Sequence, residues 1–463
     1  MSRRLGSIGL SMMLAALLVV VVDRSPAAAQ GSACPAGQPA SPSPGAGFVP
    51  TLDCLGWVPA NHPLARQTTP QTPGGALDCP AGQPAIPSPS PSFVPTQDCQ
   101  GWVPSNHPLA RKRIQPAGAG AVFAMTNRAA GNEVIAFSRA SDGTLTQTGR
   151  YSTQGHGIGV DFDTQGGLTL SADHRFLYAC NPGSDDVTVF AVAGSQLTFV
   201  QTVYAGDQPL SITLFGDLAY VLDGSVAGNG ITGFRVGADG RLTALAGSFR
   251  MLSSPIAVPG EVRFTPDGRA LVVTHKVGSM LDVFKIGPDG LPGAPMPAPS
   301  FGPRPFALNF KADGRLLVVE SGLPMLQNTA VSSYNLNAST GAVSVITGSA
   351  KNGQTDGCWI VITADQLYAY TANFVSGTLS SYRLGVNGSA TLTNGAAAFT
   401  GDMSQPTDLA FSSGTDYLYT LLRGTGAVAA FHVEGDGSLT PRGVFGAGGG
   451  LPVADGASGL AAY

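Results

Sequence analysis

One unit, repeated along the chain, constrains this sequence more than any other feature. "LTLSADHRFLYACNPGSDDVTVFAV" runs from Leu168 to Val192. It holds two apolar runs, a charged turn, a polar loop and a third apolar run. Similar units begin at Val262, "VRFTPDGRALVVTHKVGSMLDVFKI", and at Ala307, "ALNFKADGRLLVVESG". From about Ala121 onward, short runs rich in β-branched, Leu, Phe and Tyr residues alternate with Gly, Asp and Asn turns, which is the signature of strands. Innermost-strand candidates begin near Leu168, Leu210, Val262, Ala307, Trp359, Leu409 and Leu460, at intervals of 42, 52, 45, 52, 50 and 51 residues. That period predicts a β-propeller with four strands per blade. Each unit carries an Asp-containing turn after its first strand and an Asp-Gly or Asn-Gly turn before its fourth. Both dipeptides tolerate positive φ.

The two ends of this region are complementary. The segment "AVFAMTNRAAGNEVIAFSRASDGTLTQTG" supplies a second, third and fourth strand but no first, and the C-terminal "ADGASGLAAY" reads as a lone first strand. Pairing the C-terminal strand, Gly459–Tyr463, with Val122–Thr126 completes the first blade, removes an open sheet edge and gives seven blades. A long all-β sandwich explains neither the period nor these ends. Composition agrees: 62 glycines against few charged residues suit strands and tight turns. A net charge of −4 without basic clusters excludes nucleic acid as the expected partner.

The first 29 residues read as an export signal: Arg3 and Arg4, an apolar run from Ile8 to Val22, and Ala27-Ala28-Ala29 as cleavage site. Asp23 and Arg24 end the apolar run too early for a membrane span, so the mature chain is expected to have none. The expected location is periplasmic or secreted. Residues 30–78 and 79–118 hold a tandem duplication, "CPAGQPASPSPGAGFVPTLDCLGWVPANHPLARQ" and "CPAGQPAIPSPSPSFVPTQDCQGWVPSNHPLARK". Proline recurs too often there for a helix or a central strand. Cys34 and Cys54 have the same spacing as Cys79 and Cys99, and an oxidising compartment makes a disulfide within each pair the economical expectation. The repeats read as a stiff spacer or as recognition modules meeting a cell-envelope partner. Cys180 and Cys358 lie in apolar runs and are expected to be buried thiols. The propeller, residues 119–463, is expected to be a monomer.

In a propeller, the second-to-third-strand loops and the loops leading into the innermost strands open on one face, around the central channel. The residue ending the second strand reads, blade by blade, Asn127, Asn181, Asp223, His275, Glu320, Asn373 and Arg423. The expectation is that this position faces the channel mouth and varies with function. Asn and Asp also serve their own turns there. The lead-in loops add Arg304, Asp356, Asp408 and the Gly-rich "QGHGIGVDFD" carrying His156. A carboxylate activates water and an arginine holds an oxyanion, so Arg304 and Glu320 are the expected catalytic pair, with His275 beside them. His156, Asp223, Arg423, Asn181 and Asn373 are the expected binding residues. No residues have metal spacing. A channel calcium held by Asp and Asn lacks a supporting ligand loop, and no cofactor is expected.

"VFAMTN…GNEVIAFSRASDGTLT", "GGLTLSADHRFLYACNPGSDDVTVFAV" and "GCWIVITADQLYAYTANFVSGTLSSYRL" resemble the bacterial lactonase-family seven-bladed propellers. That group includes 6-phosphogluconolactonase and the fungal carboxymuconate-lactonizing enzyme. The resemblance spans about residues 120 to 463. It implies hydrolysis of a small lactone or binding of a carbohydrate-like ligand at the channel mouth. The family's catalytic members carry Gly-Pro-Arg-His and a strand ending Asn-Glu. This chain has Gly302-Pro303-Arg304-Pro305 and Val319-Glu320. Arg304 and Glu320 match, but Pro305 stands where the histidine is, so His275 or His156 would have to move the proton. Phosphorylated sugar lactones are cytoplasmic, which argues against 6-phosphogluconolactone for an exported chain. The alternative expectation is a non-catalytic envelope binding module on the same scaffold.

Overall fold

The computed structural model describes residues 119–463 apart from 227, 454 and 455, together with the backbone of four short strands, Phe48–Pro50, Trp57–Pro59, Phe93–Pro95 and Trp102–Pro104. The chain divides into two compact units, Met1–Ile114 and Gln115–Tyr463. In the first, each copy of the duplicated repeat forms a small hairpin, Phe48 opposite Pro59 and Phe93 opposite Pro104. The two hairpins join through the backbone pair Trp57 opposite Trp102. The expectation that proline bars central strands is therefore corrected. The inner strands Trp57–Pro59 and Trp102–Pro104 each end on a proline, beyond the only position they share. The export signal and Cys34, Cys54, Cys79 and Cys99 lie outside the described residues.

The second unit is an all-β, seven-bladed propeller. Six of its seven sheets place four strands in sequence order from the centre outward, the first blade takes its innermost strand from the C-terminus, and the third blade adds the short strand Arg250–Met251. The innermost strands are Leu168–Leu170, Pro209–Phe215, Pro259–Phe264, Pro305–Phe310, Gly357–Ile362, Pro406–Phe411 and Leu460–Ala462. The last of these closes the ring, with Leu460 opposite Ala124 and Ala462 opposite Val122. The second strands are buried from end to end, as in Leu218–Asp223 and Ala270–His275, except for the half-buried Phe176 that opens Phe176–Asn181, because neighbouring blades cover both faces.

A repeated tyrosine stitches one blade to the next. The hydroxyls of Tyr178, Tyr220, Tyr370 and Tyr419, all on second strands, donate to the carbonyls of Gly240, Gly290, Gly437 and Gly143 at 2.7–3.0 Å. Each acceptor is the glycine of the third-to-fourth-strand turn in the following blade. Buried tyrosines need such a partner, and these turns supply it. Tyr419 to Gly143 spans the junction between the last blade and the first. At Gly437 φ is +81°, and a Cβ would lie 2.3 Å from the Tyr368 ring, so only glycine both turns the chain and fits the neighbour.

Candidate active site at the channel mouth

Strand alternation decides which side chains reach the mouth. In five blades the same backbone bond joins the residue after the second strand to the residue before the innermost strand. Gly224, Lys276, Ser321, Phe374 and Arg423 donate N–H to the carbonyls of Gln208, Val258, Arg304, Asp356 and Gln405 at 2.9–3.3 Å. Val258, Arg304, Asp356 and Gln405 have φ between +45° and +58°. Such values are costly for residues with a Cβ, and an outlier at one repeated position next to a channel marks a site worth reading chemically.

The residue one step earlier, at the end of the second strand, turns into its own blade instead. Glu320 has no exposed surface. Its carboxylate accepts from Gly302 N at 2.9 Å and from the hydroxyls of Ser332 and Ser349, each at 2.5 Å. Burial pushes its pKa up, and these bonds oppose the shift. His275 Nε2 lies 3.0 Å from Asp282, which also accepts from Ser253 N and Oγ. Burial raises the Asp282 pKa, but His275 and Ser253 outweigh it and leave the carboxyl below its usual range. Asn181 donates to Asp186 and Thr188, and Asn373 to Thr378 and Ser380, within their blades. Asp223 accepts from Asp207 N and Ser225 N and so fixes its own loops. Asn127 holds the lead-in loop of the second blade through Ile158 N and Val160 O, and the closing segment through Gly456 O.

The expectation that this position lines the mouth is therefore corrected. Arg304 and Glu320 share a blade but make no ion pair. Arg304 donates to Ser321 Oγ at 3.2 Å and lies 3.8 Å from Asp163. Arg423 was assigned one position off: Pro406 pairs with Leu422 where Pro305 pairs with Glu320, so Arg423 belongs to the mouth position. His156 is exposed at the rim, with Nδ1 3.0 Å from the Ala129 carbonyl.

What the mouth does contain comes largely from "DFDTQ", residues 161–165, in the lead-in loop of the second blade. This segment crosses the channel. Gln165 donates to Ile360 O and accepts from Ile360 N, Gln165 N donates to Gly260 O, and Trp359 Nε1 donates to Thr164 O. Its aspartates meet three cations. Lys276 reaches Asp163 Oδ2 at 2.6 Å, Arg304 approaches the same carboxylate, and Arg423 pairs with Asp161. Lys276 also lies 4.6 Å from the centre of the Phe306 ring and Arg423 4.8 Å from that of Phe374, geometries that favour a cation.

Asp356 completes the group. Its side chain is partly exposed, and burial raises its pKa to about 6, with the charges of Asp163 and Asp161 adding and Arg304 opposing. The Cys358 thiol donates to it at 3.3 Å. Deeper in the seventh blade, Asp408 is buried and accepts from Gly459 N at 2.8 Å; its pKa is pushed to about 7 by burial. Cys180 and Cys358 are buried free thiols. Among the described residues, no group of three or more His, Cys, Asp and Glu is arranged to hold a metal, and no helix is long and apolar enough to cross a membrane.

Comparison with known proteins shows what this chain resembles. The profile described as "Lactonase, 7-bladed beta-propeller" matches residues 128–259. A 6-phosphogluconolactonase of Serratia proteamaculans is 25% identical over 277 residues, covering 57% of this chain and 79% of that protein. This chain is similar to the lactonase-family propellers. Solved structures share the fold of this propeller. The periplasmic gluconolactonase of Pseudomonas aeruginosa aligns with a TM-score of 0.56 at 17% identity, over 73% of this chain and 98% of that one. A protein from Lactobacillus plantarum aligns with a TM-score of 0.57 at 16% identity, over 74% and 98%.

Sequence reasoning named Asp356 and the loop carrying Asp161 and Asp163 but gave those carboxylates no role, and it passed over Lys276. The available signal was the strand period. If His275 closes a buried strand, the basic residue after it points elsewhere.

Proposed function

We propose that this propeller hydrolyses a small lactone at its channel mouth, with Asp356 as general base and Arg304 holding the carbonyl oxygen. The observation that carries this reading is the Asp356 carboxyl. It is partly exposed at the mouth, has a pKa near 6, and is close enough to Arg304 to feel its charge. A base with that pKa is mostly ionised at neutral pH and still basic enough to take a proton. Asp356 removes a proton from water as the oxygen attacks the lactone carbonyl. Arg304 stabilises the resulting oxyanion. The ring C–O bond then breaks, and the proton on Asp356 passes to the departing alkoxide, giving a hydroxy acid. This scheme needs no histidine at Pro305.

The sequence of residues 1–29 supports action outside the cytoplasm, and the tandem repeats supply a surface for the cell envelope. One observation favours the alternative of a non-catalytic binding module: residues 161–165 cross the channel and occupy all three cations. A lactone panel assayed with the full mature chain separates the two. Hydrolysis that rises with pH through about 6, and that Asp356→Asn lowers by roughly 10²-fold, supports the enzyme. Ligand binding without turnover across the panel supports the module.

A further inference from the structure

We propose that the ligand is an uncharged lactone bearing an aliphatic chain, its ring over the mouth and its chain against the exposed apolar side chains of the same face. This rests on the lactone reading above and adds the substrate class.

The charge at the mouth argues for an uncharged head. Three cations, Lys276, Arg304 and Arg423, face three carboxylates, Asp161, Asp163 and Asp356. Lys276 and Arg304 converge on Asp163, and Arg423 is taken by Asp161. A phosphate dianion would have to displace Asp163 from two partners and then sit among three acids. That repulsion is strong in a partly desolvated site. A neutral ester carbonyl needs only one donor, and Arg304 has guanidinium N–H groups to spare.

The surface around the mouth argues for the chain. Val258 and Val277 flank the Lys276 position on the fourth blade. Met325 and Leu326 stand on the second-to-third-strand loop of the fifth, Val375 follows Phe374 on the sixth, and Met403 precedes Gln405 on the seventh. All six are exposed, from 42% at Val277 to 77% at Met403. Each stands in a loop on the face where the mouth opens, as do Val160 and Val226 on the second and third blades. The opposite face is built on turns such as Asp173-His174, Asp239-Gly240 and Asp436-Gly437, and its exposed large apolar residues are fewer: Phe215, Leu367 and Val386. Exposed apolar side chains gathered on one face beside a polar centre mark a binding surface. Unbranched Met adapts to a flexible alkyl chain.

The test uses one lactone ring, unsubstituted, carrying alkyl chains of increasing length, or phosphorylated, with the full mature chain. The same alkyl series on the non-hydrolysable lactam is titrated by calorimetry. The proposal expects kcat/KM and lactam affinity to rise by about 2- to 4-fold per methylene over the first few carbons, and the phosphorylated lactone to be poorer than the unsubstituted one. The double variant Leu326→Ser, Met403→Ser should flatten the chain-length slope. The slope is internal to each protein, so general damage to the fold cancels. Lactone turnover independent of chain length, or a preference for the phosphorylated ring, overturns the ligand class and leaves hydrolysis standing. Lactam affinity that follows chain length without any lactone turnover does the reverse. A flat lactam series without turnover overturns both.

Discussion

His275 and Lys276 are adjacent in sequence and face different parts of the molecule. His275 is sealed inside the fourth blade against Asp282, while the Lys276 ammonium reaches the aspartate loop in the channel. Glu320 and Ser321 repeat the contrast one blade on: three hydrogen bonds hold the carboxylate within the blade, and the next residue receives Arg304. A strand turns successive side chains to opposite sides, so one position serves the framework and its neighbour serves the mouth. The lesson is that the varied residue in a repeated framework need not be the functional one. Asn181, Asp223, His275, Glu320 and Asn373 are different local solutions to holding loops together.

The largest expected effect lies in the framework. Glu320→Ala strands Ser332, Ser349 and Gly302 N without their acceptor and should cost about 2–4 kcal/mol in chemical denaturation. Arg304→Ala, in the same blade but at the mouth, should cost less than about 1 kcal/mol, because Lys276 keeps Asp163 paired and Arg304 is partly solvated. Equal losses would erase the distinction between the two positions.

Titration gives a second contrast. The buried Asp408 has its folded pKa raised from 3.8 to about 7. Its contribution to stability is therefore full below about pH 4 and is lost as pH rises toward 7 and above, a change of about 2–4 kcal/mol. Asp408→Asn keeps an acceptor for Gly459 N and should make the decline in stability from pH 5 to pH 8 visibly shallower. An unchanged slope would remove Asp408 from the account. At the mouth the sign of the effect on rate is opposite: the Asp356 base works only when deprotonated, so kcat/KM should climb through about pH 6 and level off. A profile flat from pH 5 to pH 8 would exclude that base.

Most of the fold could be read because it is written as repetition. The blade period located every innermost strand within a few residues, and the missing first strand at Ala121 matched the spare one at Leu460. The site was less legible for two physical reasons. Strand alternation is clear inside a strand but not at its last residue, where the chain leaves the sheet, and a one-residue shift moved Arg423 from one class to the other. Asp161 and Asp163 belong to a loop without counterpart in the other blades, and its path across the channel is fixed by Ile360, Trp359 and Gly260, about 95 to 200 residues away. No local pattern carries that information. The proline-rich strands were missed because a three-residue strand tolerates a proline at its end.

One measurement tests the central claim, that chemistry sits on the mouth position and structure on its neighbour. The kcat/KM for a neutral lactone should be compared in Asp356→Asn and Glu320→Gln, with melting temperatures alongside. The account predicts a loss of roughly 10²-fold or more in Asp356→Asn with no loss of stability, and turnover within about 3-fold of the parent in Glu320→Gln, which keeps the shape and part of the hydrogen bonding. Full turnover in Asp356→Asn together with a collapse in a well-folded Glu320→Gln would contradict it and return the catalytic role to the buried glutamate.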